Sequence, residues 1–155
     1  MLQGKTCVKE GVQKCEGMIY AVIDTNVLVS ALITHNSMSA TVKVVRLLLD
    51  GEFTPLYESS IIEEYQEVLH RSKFKIQSDA ADALITFIKE HGIETSRTAF
   101  QESMPDEDDR VFYEVSLSIE DSFLVTGNFK HYPQTPKVIS PADFLKVLNT
   151  SEGES

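Results

Sequence analysis

Cysteine, positive charge and long apolar runs are all scarce in this chain, and each shortage closes off a class of function. The two cysteines, Cys7 and Cys15, lie in the first 17 of 155 residues, outside any stretch that reads as core. That is too few for a disulfide framework, and without a second ligand pair it is not a zinc-site spacing. A reducing, cytoplasmic setting is the expectation. Lys and Arg total 14 against 24 Asp and Glu, a net charge of −10. Attraction of nucleic acid by bulk positive charge is therefore not expected. A nucleic-acid enzyme stays open, because a divalent cation can offset clustered carboxylates. A partner with a basic segment stays open too. No run approaches the roughly 18 apolar residues of a membrane span, so no membrane partner is expected. The start, "MLQGKTCVKEGVQKCEG", lacks an apolar run of signal-peptide length. No internal repeat or low-complexity segment is evident.

What is present is an ordinary globular composition, 42% apolar, on a chain of one-domain length that can bury about two-thirds of its surface. Residues 1–17 read as a disordered extension or tag, 18–149 as the folded domain and 150–155 as a flexible tail. "MIYAVID" (residues 18–24) is an apolar, β-branched run and predicts a buried strand. "TNVLVSALI" continues with helical spacing. "ATVKVVRLLLDG" predicts a helix stopped by Gly51. "FTPLYES" predicts a strand, with Pro55 marking a sheet edge or a strand start. "SIIEEYQEVLHR" predicts a helix capped by Ser60 with Glu63 as its reciprocal partner. Helices follow over "SDAADALITFIKEHG" and "PDEDDRVFYEVSLSI", strands over "SFLVTG" and "KVI", and a last helix over "SPADFLKVLNT" with Ser140 and Pro141 at its start. Strands alternate with helices, and the strands are continuous apolar runs. That predicts an α/β fold, a three-layer α/β/α sandwich around a mainly parallel sheet. Ligand sites in such sheets lie at the carboxyl ends of the strands.

Polar residues break the apolar pattern at just those ends. Asp24, Thr25 and Asn26 close the first strand, and all three are also good helix N-caps. On a helix turning about 100° per residue, Ile61, Ile62, Tyr65, Val68 and Leu69 share one face. Glu64 lies at its border, whereas Glu63 and Glu67 point away. Asp106 to Asp109 head a later helix. Acids suit a helix N-terminus, but four in succession repel one another and are easier to understand if they share a cation. Thr126, Gly127 and Asn128 end a further strand, in what is otherwise good turn material. A carboxylate set with no cysteine and no obvious histidine pair suits a hard cation, Mg²⁺ or Mn²⁺. Such sites suit phosphodiester hydrolysis.

Four blocks in order, with a closing helix, resemble the PIN domain family of small metal-dependent ribonucleases. The nearest likeness is to the VapC-like branch, toxins of bacterial toxin–antitoxin pairs. The blocks are "VIDTNVLVSAL", "IIEEYQEVLHRSKF", "DEDDRVFYEV" and "DSFLVTGNFKHYP", followed by "ISPADFLKVL", and they cover residues 18–148. The resemblance implies a PIN-like fold and an endoribonuclease that cleaves single-stranded RNA. It implies that Asp24, Glu64 and Asp109 are catalytic and hold Mg²⁺ or Mn²⁺. Thr25, Asn26, Thr126 and Asn128 would orient waters or substrate. In the third block helical spacing puts Asp108 on the stripe of Val111, Phe112 and Val115. The family's acid three residues before Phe selects Asp109, so Asp108 remains a second metal candidate and Asp106 a more distant one. Asn128 stands where many relatives carry Asp, and it brings no charge to a second metal ion. Lys130 and His131 follow the fourth block, where they could touch substrate, with a surface turn residue as the other reading of His131. The capping task would fall to Thr25 or Asn26. The implied partners are RNA, a cognate antitoxin protein and a second copy of the chain. Two other readings stand beside this one. The first is a catalytically weak PIN-fold interaction module that binds an antitoxin or RNA. The second is another metal-dependent nuclease or phosphatase.

Overall fold

The structure, a computed structural model, describes residues 18–153, with side chains described to residue 150. The extension expected over residues 1–17, with Cys7 and Cys15, lies outside the described residues. The first strand, β1 (Tyr20–Ile23), carries "YAVI" and is buried throughout. Helix α1 (Thr25–Ile33) follows at once, and then α2 (Ala40–Leu49). Gly51 closes α2 with φ +79, a left-handed backbone that glycine adopts without a Cβ penalty. Next come β2 (Thr54–Tyr57), α3 (Ser59–Leu69), a 3₁₀ turn at Ser72–Phe74 and α4 (Ser78–His91). A short strand, β3 (Ile93–Glu94), was not legible as an apolar run. A second 3₁₀ turn, Glu107–Asp109, leads into α5 (Arg110–Leu117). Strand β4 (Phe123–Val125), a third 3₁₀ turn at Phe129–His131, β5 (Val138–Ile139) and α6 (Pro141–Gly153) complete the chain. Helix α6 thus overlaps the tail expected from residue 150.

The five strands form one sheet in the order β3-β2-β1-β4-β5, and every neighbouring pair is parallel. The expected α/β sandwich is what the chain adopts. Helix α5 packs on β1 and β4, α3 meets α4 and α5, and α2 pairs with α6. The rings of Phe53 and Phe123 close edge-on around Phe144 of α6, with centroids 4.9 and 5.8 Å from it. Aromatic edge contacts of this kind stabilise a core beyond their buried area.

Of the two readings of Pro55, the sheet edge is corrected and the strand start stands. Its strand, β2, is an inner strand, not an edge, and Pro55 is its second residue. Residues of a strand alternate the side to which their N–H points. Thr54 donates its N–H to Ile19 of the β1 side at 2.8 Å, so the missing N–H of Pro55 faces β3. Strand β3 begins opposite the next residue, Leu56. The proline therefore sits just before the ladder that would have needed its donor. The chain also passes very close there: a Cβ on Gly92 would lie 2.5 Å from the Ile88 carbonyl oxygen and 2.6 Å from that of Pro55. A second correction concerns α3, which is capped by Glu58, not Ser60. Its side chain accepts the Ser60 N–H at 2.8 Å.

Strands β2 and β3 lie on one side of β1, and β4 and β5 on the other. The strand order reverses between β1 and β4, which is where a parallel sheet opens a crevice at its carboxyl ends. Ile23 of β1 and Val125 of β4 are in register as the last residues of their strands. The residues that follow them, Asp24 and Thr126, are brought side by side.

Candidate active site

Asp24 is nearly inaccessible, 3% exposed. Its Oδ2 accepts the Thr126 hydroxyl at 2.7 Å and the Tyr132 hydroxyl at 2.9 Å. Its Oδ1 accepts the Asn26 N–H at 3.4 Å, which makes Asp24 itself the N-cap of α1. The capping task therefore does not fall to Thr25 or Asn26. One carboxylate caps the helix with one oxygen and ties two further chain segments with the other. Burial, followed by the Asp24 charge, raises the Tyr132 phenol well above its ordinary range, so it stays a proton donor. Below Asp24, the Tyr65 hydroxyl donates to the Ile23 carbonyl oxygen at 2.5 Å, pinning α3 to the end of β1.

The two residues after Asp24 serve neighbours. The Thr25 hydroxyl donates to Glu64 Oε2 at 2.7 Å. Asn26 Oδ1 accepts the Gly127 N–H at 3.4 Å, and the Asn128 N–H donates to Thr126 Oγ1 at 2.9 Å. The four residues expected to orient groups at the site thus fasten the two strand ends together and aim Glu64.

Asp109 arrives at the site from the end of the 3₁₀ turn that leads into α5. It occupies the N-cap position of that helix, yet its side chain makes no capping bond. Its Oδ2 instead lies 2.7 Å from His131 Nδ1, and Asp106 Oδ2 lies 3.4 Å from the same nitrogen. The start of α5 is held by a buried acid that the sequence reading did not single out. Glu114 pairs with Arg97 at 2.8 Å and Arg110 at 3.5 Å, and accepts the Phe100 N–H at 3.0 Å. Arg110 also reaches the carbonyl oxygens of Phe100 and Glu102 and both oxygens of Glu107. This network binds the preceding loop to the helix that carries Asp109.

Asp24, Glu64 and Asp109 line one cleft of about 820 Å³, with Thr25, Asn26, Asn128 and His131 on its walls. Asp108 is exposed and not part of this lining, and its N–H bonds back to Asp106 Oδ1 at 3.0 Å. Thr126 lies beneath the lining, fully buried. Among the described residues, no lysine or arginine lines the cleft. The carboxylates bear the consequence. Burial raises the Glu64 carboxyl, and the charges of Asp24 and Asp108 add to it, against the hydrogen bond from Thr25 and the charge of Arg71. Burial pushes Asp109 up to about 6, helped by Asp24 and Asp106 and opposed by His131. Asp24 is the acid that both of the others feel. The tightest group of ligand atoms is a different trio, Asp106, Asp109 and His131, all within 4.8 Å of one another. Asp109 belongs to both sets.

A divalent cation fits the donor set. Glu64 Oε1 and Asp109 Oδ1 have no protein donor among the described residues, while their sister oxygens are held by Thr25 and His131. Oriented, half-desolvated carboxylates in a cleft lined, among the described residues, by no lysine or arginine are the chemistry that a hard, oxygen-preferring ion neutralises. Tyr132, Tyr65 and Glu114 are the supporting residues that sequence reasoning missed. Tyr132 follows His131 directly in "KHYP", but no periodicity marks it.

The fold and site define a class: a parallel α/β protein with an acidic cleft at the point where its strand order reverses. A family profile described as PIN domain matches residues 20–130. The chain belongs to the PIN domain family, whose members are generally nucleases. No curated protein and no solved structure matches it.

Proposed function

We propose that the protein is a metal-dependent endoribonuclease that cleaves single-stranded RNA, and that it is the toxin of a toxin–antitoxin pair. The convergence of Asp24, Glu64 and Asp109 in a cleft without lysine or arginine carries the reading. When bound, Mg²⁺ or Mn²⁺ supplies positive charge against the transferring phosphate and makes water more acidic. Asp24, Glu64 and Asp109 would hold the ion, with Asp108 as an outer acid. Glu64, aimed by Thr25 and raised by burial, is suited to accept a proton from the attacking water. In hydrolysis the water oxygen bonds to phosphorus, the bond to the leaving ribose oxygen breaks, and that oxygen gains a proton. Asn128 and His131 stand at the cleft wall, where they would touch the phosphate or ribose.

The test compares wild type with Asp24→Asn and Asp109→Asn on single-stranded RNA, single-stranded DNA and a simple phosphate ester in Mg²⁺ or Mn²⁺. The expected result is RNA cleavage by wild type and a loss of 100-fold or more (roughly 3 kcal/mol of barrier) in both variants, with unchanged circular dichroism. Full cleavage by either variant refutes the site. Preference for DNA or the ester moves the protein to another class of hydrolase. The toxin role predicts an adjacent small reading frame for an antitoxin that copurifies with this chain. Growth unaffected by expression without that partner speaks against it. Asn128, which adds no charge to the cleft, supports a second reading as an interaction module. That reading predicts antitoxin or RNA binding with no cleavage in any metal.

A further inference from the structure

Apolar side chains share the cleft lining with the acids: Val29 and Ile33 of α1, Val68 of α3 and Phe74 of the 3₁₀ turn, alongside the polar Ser30, Thr34 and His35. Hydrolysis of a phosphodiester makes no use of such a wall, and Ile33 is left 43% exposed on it. Phe74 is only half-buried and lies between two lysines in "RSKFK", where Arg71, Lys73 and Lys75 fall within five residues of a chain whose net charge is −10. Lys73 Nζ lies 5.1 Å from the Phe74 ring centroid. Arg71 is anchored to Glu67 by two bonds of 2.9 and 2.6 Å, so it braces the turn. Lys75 has φ +57, the one non-glycine residue with a left-handed backbone among the described residues. Such a conformation costs about 1 kcal/mol or more for a side chain with a Cβ. Here it lets the chain reverse directly after Phe74, with the Lys75 N–H closing on the Ser72 carbonyl oxygen at 3.2 Å.

An aromatic ring beside an apolar wall, bracketed by lysines and opening onto an acidic phosphate-processing site, has the makings of a base platform. Stacking on an aromatic side chain accepts any base, and flanking lysines engage the phosphates. From this we infer that Phe74 stacks against an unpaired base of single-stranded RNA next to the cleaved bond, with Lys73 and Lys75 on the flanking phosphates. The inference rests on the nuclease reading above. It also gives that reading a physical source of strand selectivity: a base inside a duplex has both faces covered by its neighbours and cannot stack on Phe74.

The test measures binding of a short single-stranded RNA carrying a fluorescent base analogue, in Ca²⁺, together with a duplex of the same sequence. Phe74→Leu keeps apolar bulk and removes the ring, and thermal melting verifies that the fold is intact. The expected result is a Kd for the single strand raised about ten-fold or more, loss of the stacking signal and unchanged weak duplex binding. Lys73→Gln with Lys75→Gln, which leaves the ring in place, should reduce the slope of log Kd against log salt by about one to two. Wild-type Kd and stacking signal in Phe74→Leu overturn the inference while leaving the nuclease reading intact. Phe74-dependent binding without any RNA cleavage keeps the inference and defeats the nuclease reading. No binding of single-stranded RNA by wild type overturns the inference.

Discussion

Replacing Asp109 by Asn should stabilise the metal-free protein at pH 8. The Asp109 side chain is 13% exposed, and its carboxyl is pushed up to about 6 from 3.8, first by burial and then by Asp24 and Asp106. Its folded pKa thus lies above its unfolded one. Between those values the folded state holds a proton that the unfolded state has released, so stability falls as pH rises from 3.8 through 6 and is level above that. The full difference is worth about 3 kcal/mol at pH 8. Solvent at the cleft mouth screens part of it, and the asparagine makes a weaker bond to His131. The expected net gain for Asp109→Asn is about 1–2 kcal/mol. Urea unfolding in EDTA measures it as an increased midpoint at constant slope. At pH 5 about half of the gap should remain, and the two proteins should converge only below about pH 3.8, where the carboxyl is protonated in the unfolded state as well. Mg²⁺ at pH 8 should also narrow the gap, since an ion that binds only the folded wild type stabilises it by mass action. A less stable Asp109→Asn variant at pH 8 in EDTA would refute the reasoning. It would mean that the carboxylate bond to His131 outweighs the burial and repulsion.

Three further outcomes follow from particular contacts. Thr126→Val keeps the shape of a fully buried residue but deprives Asp24 of a donor and Asn128 of an acceptor. It should cost about 1–2 kcal/mol in urea unfolding and lower RNA cleavage, whereas unchanged stability with unchanged cleavage would show that Tyr132 alone holds Asp24. Glu114→Gln removes the buried charge that pairs Arg97 and Arg110. About 2 kcal/mol of destabilisation is expected, with faster proteolysis of the 95–105 loop, and protection of that loop equal to wild type would remove its anchoring role. Gly92→Ala sets a Cβ against two backbone oxygens at 2.5 and 2.6 Å. Helix α4 must then part from β2, at about 1–3 kcal/mol, read as a lower melting temperature. An unchanged melt would show that Gly92 is needed only to end the helix.

The sequence by itself determined the alternation of buried strands and helices, hence the parallel α/β sandwich, because hydrophobic periodicity is a local property. It also located polar breaks at two strand ends, Asp24 at the first of them, Glu64 at a helix border and the acid run from Asp106 to Asp109 at a helix start. It did not determine which oxygen of each carboxylate is occupied. Asp24 and Thr126 are 102 residues apart in the chain and 2.7 Å apart in the fold, and only the order of the strands makes them neighbours. Tyr132 looks like any turn aromatic until the third 3₁₀ turn brings its hydroxyl onto Asp24. Among the run of acids from Asp106 to Asp109, helical spacing favoured Asp108 and the family pattern Asp109. Tertiary packing put Asp109 in the cleft and left Asp108 exposed outside its lining, because the turn at Glu107–Asp109 is 3₁₀ and helical periodicity begins only at Arg110. Pro55 read as either an edge or a strand start because propensity counts the missing donor without knowing when the neighbouring strand begins. Local pattern sets what a segment is, whereas a carboxylate's task depends on the atoms around it, and those come from distant parts of the chain.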